Sequence, residues 1–224
     1  MIGVIIQARM GSQRLPGKIL KKIGNKNLLE HILFRLSFLN HPVKIVIATS
    51  NSAKDDIVEE FCKTNSIECF RGSEDNVLER YYFCAKKYSF EQIVRLTGDN
   101  PFLDIEELDN LIDLQLKTCS EYSKSFESLP IGIGAEIFSF SALEKSYFNG
   151  QELHHKEHVN EYILENSHLF KISNLKIRAE KNINTIRLTV DTEDDLKKAC
   201  FIIENAGNEF IITEDAIKLC MQYA

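Results

Sequence analysis

Two patterns of apolar residues alternate along the first half of the chain. Short runs rich in β-branched residues occupy positions 2–8, 43–49, 67–70 and 92–96, and they predict buried parallel strands. After each run, apolar residues recur every three or four positions, which predicts amphipathic helices near residues 28–36, 52–61, 75–88 and 105–119. A strand followed by a helix, repeated in this way, predicts an α/β fold with a doubly wound, mostly parallel sheet.

The alternation stops after residue 119. Residues 121–126 and 131–138 predict strands, and residues 141–148 and 151–165 predict helices. An apolar run at 187–190 predicts another strand, and it is followed by helices from Asp191 to Ile203 and from Thr213 onward. Because the sequence contains no internal repeat or linker, we expect one domain over residues 1–224, with a C-terminal elaboration roughly at 121–186.

Composition narrows the class of protein. The chain has 224 residues, of which 44% are hydrophobic and 27% charged, as expected for a globular domain with a packed core. Its net charge of -6 argues against a general nucleic-acid binder, although it leaves room for a local anion site. The six cysteines form no CxxC pair, and no apolar run reaches membrane-spanning length. We therefore expect a cytoplasmic protein with reduced thiols and no nucleic-acid or membrane partner.

The loop after the first predicted strand concentrates positive charge in this acidic protein. It carries the cations Arg9, Arg14 and Lys18, and no carboxylate occurs before Glu30. The spacing of its glycines is one residue too long for a P-loop, and Ile19 stands where that motif needs a hydroxyl. A basic, glycine-containing loop at the end of a strand predicts a polyphosphate site. The alternative is a solvated basic turn.

Two aspartates follow predicted strands, Asp99 after 92–96 and Asp191 after 187–190. If both strands lie in one parallel sheet, both carboxylates emerge beside the basic loop. Carboxylates opposite bound phosphates form a magnesium site, since Mg²⁺ prefers a few carboxylates together with phosphate oxygens. The alternative is that each aspartate caps the following helix, the role that we expect for Asp194 and Asp195.

Three histidines, His154, His155 and His158, lie close together near Glu157. A continuous helix would place His154 and His158 on one face at metal-binding separation. However, HHKEH is not the HExxH motif and the sequence offers no further ligand. A solvated or substrate-facing helix start is the favoured interpretation.

Six blocks of sequence resemble one enzyme family, in that family's order and over nearly the whole chain. They are IIQARMGSQRLPGKIL, RGSEDNVLERYY, RLTGDNPFLD, PIGIGAEIFSFSALE, KEHVNEYI and IRLTVDTEDDL. Together they are similar to the SpsF-like spore coat polysaccharide cytidylyltransferases and, more distantly, to CMP-KDO and CMP-sialate synthetases. The resemblance implies a Rossmann-like GT-A nucleotidyltransferase fold. It also implies transfer of CMP from CTP to an acidic, nonulosonate-like sugar, with Mg²⁺ and release of pyrophosphate.

The resemblance also assigns roles to residues. Asp99 and Asp191 match the metal-binding aspartates, and Arg14, Lys18 and Asp99 are the expected catalytic residues. The nucleotide-binding residues that it implies are Ala8, Arg9, Met10, Gly11, Ser12, Arg14, Lys18, Arg71, Gly72, Ser73, Asp75 and Asp99; those from 71 to 75 match the base pocket. The acceptor-binding residues that it implies are Asn100, Glu136, Lys156 and His158. Glu136 has the alternative role of capping a turn.

Departures from the family pattern concentrate on the acceptor side. Arginine is usual where Lys156 stands, threonine-proline where Asn160 and Glu161 stand, and aspartate where Gly134 stands. The acceptor could therefore instead be a small phosphorylated or phosphonate-like molecule. A non-catalytic nucleotide-binding protein is a further alternative. Related enzymes are often dimers, so a homodimer is a candidate assembly, with residues 130–165 as its natural contact.

Overall fold

The structure, a computed structural model, describes residues 1–223. Its strands are β1 (Ile2–Gln7), β2 (Lys22–Ile23), β3 (Lys26–Asn27), β4 (Lys44–Ser50), β5 (Glu68–Gly72), β6 (Gln92–Thr97), β7 (Tyr122–Lys124), β8 (Glu136–Ser139) and β9 (Ile172–Asn174). Its α-helices are α1 (Leu28–Leu36), α2 (Asp56–Thr64), α3 (Val77–Lys87), α4 (Ile105–Thr118), α5 (Phe140–Asn149), α6 (Leu153–Glu157), α7 (Glu161–Glu165), α8 (Glu193–Asn205) and α9 (Thr213–Gln222). None of these helices combines the length and the apolar character that crossing a bilayer requires.

One seven-stranded sheet has the order β5-β4-β1-β6-β8-β7-β9. Strands β5, β4, β1 and β6 are parallel, β8 runs antiparallel to both of its neighbours, and β7 is parallel to β9. The predicted α/β fold with a mostly parallel sheet is therefore confirmed. The chain moves outward from β1 to β5 and then returns to the other side of β1 at β6. This reversal opens a crevice at the carboxyl ends of β1 and β6.

The sheet carries an apolar layer on each face. Along β1, Val4 and Ile6 join the cluster formed with α1, α2 and α4, whereas Ile5 joins the cluster formed with α3 and α5. This alternation follows from the two-residue period of a strand, and burial on both faces explains why β1 is apolar throughout. A third cluster packs Leu15, from the loop after β1, with α8 and α9. The C-terminal helices thus support the loop that borders the crevice.

The second half of the chain departs from the predictions at four places. The strand predicted over 131–138 begins only at Glu136, because Gly132 has a φ of 99° and turns the chain. The run 187–190 is not a strand of the sheet and makes a single bridge, from Arg187 to Ile131. The helix predicted over 151–165 is divided into α6 and α7, since the backbone is extended at His158. Strand β9 was not predicted.

Candidate active site

A cleft of about 590 Å³ opens at the carboxyl ends of β1 and β6. The loop after β1 contributes six of the predicted residues to its wall, namely Ala8, Arg9, Gly11, Ser12, Arg14 and Lys18. The two strand ends approach closely because residue 98 is glycine: a β-carbon there would lie 3.2 Å from the side chain of Ile19 and from the carbonyl oxygen of Gln7. The structure therefore brings the basic loop and the segment that carries Asp99 to one crevice.

Hydrogen bonds donated by its own backbone amides hold the basic loop in shape. The Met10 amide donates to Oδ1 of Asp55 at 2.7 Å, and Asp55 is a buried residue that follows β4. The Gly17 amide donates back to the Met10 carbonyl at 3.1 Å, and the Leu15 amide donates to Oγ of Ser12 at 3.2 Å. Gly17 has a φ of 68°, in the left-handed region that favours glycine. Met10 itself packs against the core instead of lining the cleft.

Lys18 joins the loop to both predicted metal-binding aspartates. Its Nζ donates to Oδ2 of Asp99 at 2.6 Å and to Oδ1 of Asp191 at 2.7 Å. Arg14 lies 3.0 Å from the same oxygen of Asp191, and Arg187 pairs with its other oxygen. Burial raises the pKa of Asp191, but the hydrogen bond and charge of Lys18, with the two arginines, outweigh burial and hold that pKa below its ordinary value.

Asp191 reaches Asp99 by a route that the sequence did not indicate. The Val190 amide donates to the Asp99 carbonyl at 2.9 Å, and the Thr189 hydroxyl donates to the same oxygen at 3.3 Å. The two aspartates are thus neighbours through loop contacts, whereas we expected two parallel strands to align them. The predicted proximity holds, although the predicted reason for it is wrong.

The alternative that these aspartates cap helices is wrong. Asp104 is the N-cap of α4, and its side chain accepts a hydrogen bond from the Glu107 amide. Thr192 is the N-cap of α8 and forms a capping box with Asp195. The capping role expected for Asp195 is therefore confirmed. The side chains of Asp99 and Asp191 remain directed at Lys18 and the cleft.

The donor set around Lys18 fits a divalent cation. One ammonium group bridges oxygens of two carboxylates whose side chains are only 24% and 13% exposed. That ammonium marks a position where a small cation meets two anionic oxygens, which are the ligands that Mg²⁺ prefers. A metal ion would share this position only if Lys18 moved toward another anion, such as a phosphate. Asp99 and Asp191 therefore suit a metal that arrives with a phosphate ligand.

The predicted base-pocket residues, Arg71, Gly72, Ser73 and Asp75, lie outside the cleft lining. Arg71 is held by Asp56 at 2.7 Å and Glu59 at 2.8 Å, and it donates to the carbonyl oxygens of Ser50 and Ser52. The hydrogen bonds that Arg71 donates to the carboxylates of Glu59 and Asp56 raise the pKa of Arg71. Within this structure the guanidinium is committed to the α2 side, and the base-binding role stays a prediction.

Two cleft cations were missed by the sequence analysis, Arg80 and Arg95. Arg95 is a charged residue inside the apolar run of β6, and Arg80 follows Val77 by three positions on the buried face of α3. Both side chains are largely buried. A charge placed among core positions next to the crevice was the signal that could have revealed them.

Glu136 lies behind Arg95, outside the cleft lining. Its carboxylate, which is 4% exposed, pairs with Arg95 and accepts a hydrogen bond from the Tyr122 hydroxyl. Burial lowers the pKa of Arg95, but the charge and hydrogen bond of Glu136, together with Tyr81 and Tyr122, outweigh burial and raise that pKa overall. The Arg95 Nε also donates to the side chain of Gln7 at 3.2 Å. Glu136 therefore positions a cleft residue in this structure, and it does not cap a turn.

The other predicted acceptor residues differ in position. His158 lines the cleft together with Glu157, whereas Lys156 and Asn100 do not. Asn100 donates to the Thr97 hydroxyl at 2.8 Å, and its Oδ1 is buried without a hydrogen-bond partner among the described residues. Of the four predicted acceptor residues, only His158 therefore borders the space available to a ligand.

The histidine cluster is not the predicted pair on one helix face. His154 and His155 each contact Glu165 through Nε2, at 2.7 Å in both cases. His158 follows α6 with an extended backbone and turns toward the cleft instead. His154, His155 and Glu165 are the group within residues 1–223 whose ligand atoms lie close enough for a metal. The Glu152 amide, however, donates to Nδ1 of His155, which leaves Nε2 of the neutral ring as the donor to Glu165.

Comparison with known proteins gives a consistent answer. A family model described as Cytidylyltransferase matches residues 3–217. The chain is 36% identical to the Bacillus subtilis spore coat polysaccharide biosynthesis protein SpsF over 208 residues, which cover 91% of this chain and 86% of the relative. A solved cytidylyltransferase from Leptospira borgpetersenii serovar Hardjo-bovis is 35% identical, with a TM-score of 0.91 over 99% of this chain and 94% of that one. A CMP:2-keto-3-deoxy-manno-octonic acid synthetase solved with CTP shares the fold, with a TM-score of 0.70 at 16% identity, over 91% of this chain and 98% of that one.

Proposed function

Because the chain belongs to the cytidylyltransferase family, we propose that it transfers CMP from CTP to an acidic, nonulosonate-like sugar and releases pyrophosphate. Family membership makes the protein a CTP-dependent nucleotidyltransferase, as the resemblance in its sequence implied. The activated sugar would serve a surface polysaccharide or glycan, by analogy with the polysaccharide biosynthesis named for the Bacillus subtilis relative. The observation that carries this proposal is the meeting of Lys18 with Asp99 and Asp191 at the end of the basic loop.

The loop after β1 would hold the triphosphate. Arg9, Ser12, Arg14 and Lys18 present donors to one side of the cleft. Arg9 and Arg14 are exposed there, so they can meet an incoming anion without first leaving a buried position. Three cations spread over a triphosphate neutralise most of its charge, which is the main demand of phosphoryl-type transfer on a protein.

Asp99 and Asp191 would hold a magnesium ion beside the phosphates. When bound, such an ion neutralises phosphate charge and lowers the pKa of an oxygen that it contacts. Lys18 would then leave the two carboxylates and contact the leaving pyrophosphate. Nζ of Lys18 would have to move only a short way from the carboxylates to the pyrophosphate, because Lys18 already lines the cleft.

In the reaction, an acceptor hydroxyl oxygen forms a bond to the α-phosphorus while the bond to the bridging oxygen of pyrophosphate breaks. Arg14 and Lys18 would counter the charge that builds on the leaving group. The acceptor proton would pass to water, and we assign no dedicated base among the residues that line the cleft. No covalent intermediate is required, so positioning in the cleft would provide the remaining acceleration.

Arg95 and His158 would receive the acidic group of the acceptor. Both line the cleft, and they come from β6 and from the end of α6, away from the loop after β1 in sequence. A guanidinium held by Glu136 suits a carboxylate, with which it can form paired hydrogen bonds. A phosphate or phosphonate would suit the same pair, so a small phosphorylated acceptor remains the second candidate.

The deciding experiment measures pyrophosphate release with each of the four nucleoside triphosphates. Each is combined with a panel of acidic sugars, small phosphates and phosphonates. We expect release with CTP and an acidic sugar. Release with CTP and only a small phosphate or phosphonate would favour the second candidate. Tight CTP binding without turnover on the whole panel would favour a non-catalytic protein.

Variants of the two aspartates test the site itself. Asp99→Asn and Asp191→Asn should lower turnover by roughly a hundredfold or more while the protein stays folded. Asp194→Asn is the matched control, because its side chain is 88% exposed on the first turn of α8. If folded Asp99→Asn, saturated with magnesium and CTP, transferred CMP at the normal rate, the metal assignment would be wrong.

A further inference from the structure

Arg80 is a buried cation in the wall of the cleft, and its charge is paired with no carboxylate in the part of the chain that the structure describes. The residue is 2% exposed and lines the cleft from the first turn of α3. Its Nη1 donates to the Ser73 carbonyl oxygen. Its Nε is buried without a hydrogen-bond partner, and it forms no ion pair with a carboxylate within residues 1–223. A buried charge without a compensating charge or hydrogen bond costs free energy unless a further group supplies that interaction.

Other buried cations of the protein have ion-pair or hydrogen-bond partners within the fold. Lys18 pairs with two aspartates, and Lys181 pairs with Asp104 and with two glutamates of α4. The guanidinium of Arg35 donates to the carbonyl oxygens of Leu103 and Ile211. Arg80 differs from these residues because part of its guanidinium has no partner, and it differs at a position that borders the cleft.

The free edge of Arg80 has a definite chemistry. Nη1 donates one hydrogen to the Ser73 carbonyl, and on the other edge of the guanidinium the N–H of Nε lies parallel to one N–H of Nη2. Burial lowers the pKa of Arg80, and the nearby positive charge of Arg9 lowers it further. The carboxylate of Asp55 attracts Arg80, but its oxygens already accept hydrogen bonds from Met10 and Ser50. Two guanidinium groups therefore lie near each other, and neither forms an ion pair with a carboxylate of residues 1–223.

We propose that the Nε–Nη2 edge of Arg80, with Arg9 beside it, is a phosphate-binding subsite of the cleft that receives two oxygens of the bound nucleotide. This inference rests on the proposed function, because the nucleotide supplies the phosphate. It adds a second anion subsite, on the α3 side, to the one around Lys18. An anion suits the edge better than a neutral pyrimidine, because two anionic oxygens both accept the paired N–H groups and offset the buried positive charge.

The test compares four proteins: wild type, Arg80→Met, Arg80→Lys and Arg35→Met. Binding of CTP and UTP is measured by calorimetry, and the rise of melting temperature with inorganic pyrophosphate is measured alongside, with magnesium chloride present throughout. Arg80→Met removes the charge, and Arg80→Lys keeps the charge but lacks the paired donors. Arg35→Met is the matched control, because it removes a buried guanidinium that faces backbone carbonyls away from the cleft.

We expect both Arg80 variants to bind CTP and UTP more weakly by the same factor, roughly tenfold to a hundredfold. They should also lose most of the response to pyrophosphate. Without ligand, Arg80→Met should melt no lower than wild type, because it removes a charge that the fold leaves uncompensated. Arg35→Met should melt lower than wild type and still respond to all three probes.

Three outcomes would overturn the inference. Weaker binding of CTP but unchanged binding of UTP would make Arg80 a reader of the base. Wild-type affinity in both Arg80 variants would show that the edge touches no ligand. A large loss of melting temperature in Arg80→Met, with normal nucleotide binding in Arg80→Lys, would show a structural role. If the wild type bound pyrophosphate through Arg80 but did not bind CTP, the proposed function would fail while the anion subsite stood.

Discussion

The buried ion pair behind the cleft makes a quantitative test of the structure. Glu136 and Arg95 have side chains only 4% and 15% exposed, and the Tyr122 hydroxyl donates to the second oxygen of the glutamate. Glu136→Gln keeps the size and one acceptor oxygen but removes the negative charge. The variant therefore leaves a buried guanidinium with a neutral partner.

The expected cost follows from burial. Removing one partner of a buried pair typically costs about 3–5 kcal/mol, since the other charge is left uncompensated. Because glutamine can still accept one hydrogen bond from Arg95, we expect a loss of about 2–3 kcal/mol in the free energy of unfolding. Removing both charges in Arg95→Met/Glu136→Gln should recover part of this loss. A double-mutant cycle then measures the interaction energy between the two side chains.

Urea unfolding followed by circular dichroism provides the assay, with Glu209→Gln as the matched control. Glu209 pairs with Lys26, but its side chain is 61% exposed, so its substitution should change the free energy of unfolding by less than about 0.5 kcal/mol. If Glu136→Gln behaved like the control, or if the double variant lost the sum of the two single losses, the pair would not act as a buried, coupled unit. The KM for the acceptor should rise in Glu136→Gln, because Arg95 loses the group that orients it.

Three further predictions concern the cleft and the core. Lys18→Met removes the cation that bridges the two cleft carboxylates, so magnesium alone should raise its melting temperature more than that of the wild type; equal shifts would contradict a shared cation position. His158→Ala should raise the KM for the acceptor roughly tenfold, whereas Lys156→Ala, outside the cleft lining, should leave it nearly unchanged in kinetics at saturating CTP. Burial lowers the pKa of His31 from its ordinary value of 6.5. As the pH falls, His31 therefore takes up a proton in the unfolded chain before it does so in the folded one, and the stability of the wild type should fall between about pH 7 and 5. His31→Gln should show a flatter urea-midpoint profile across this range, and equal slopes would refute that contribution.

Local patterns predicted the parallel half of the fold well. Strand β1 was predicted over residues 2–8 and is observed at Ile2–Gln7, and α1 begins and ends where its apolar spacing indicated. These elements are buried on defined faces, so the period of their apolar residues carries most of the information. The antiparallel part was harder. Strand β9 has no fully buried residue, and its pairing with β7 joins residues about 50 positions apart.

The site was predictable where its residues follow strands and less so where distant contacts place them. Lys18 lies in the loop that follows β1, and Asp99 comes just after β6. Asp191 depends on the hydrogen bond from Val190 to the Asp99 carbonyl, which no local pattern encodes. The break at His158 was missed because the spacing of residues 151–165 fits one helix as well as two. Arg80 was overlooked because its apolar neighbours were interpreted as core alone.

The hydrogen bond from the Met10 amide to buried Asp55 has a thermodynamic consequence. It belongs to the fold itself, so the loop after β1 loses conformational entropy once, when the chain folds, and a ligand does not have to order it again. Substitution of Asp55 would therefore weaken nucleotide affinity without removing a cleft-lining residue, because the ligand would then have to order the loop. Affinity in this cleft would depend on a residue after β4 that lies outside the cleft lining.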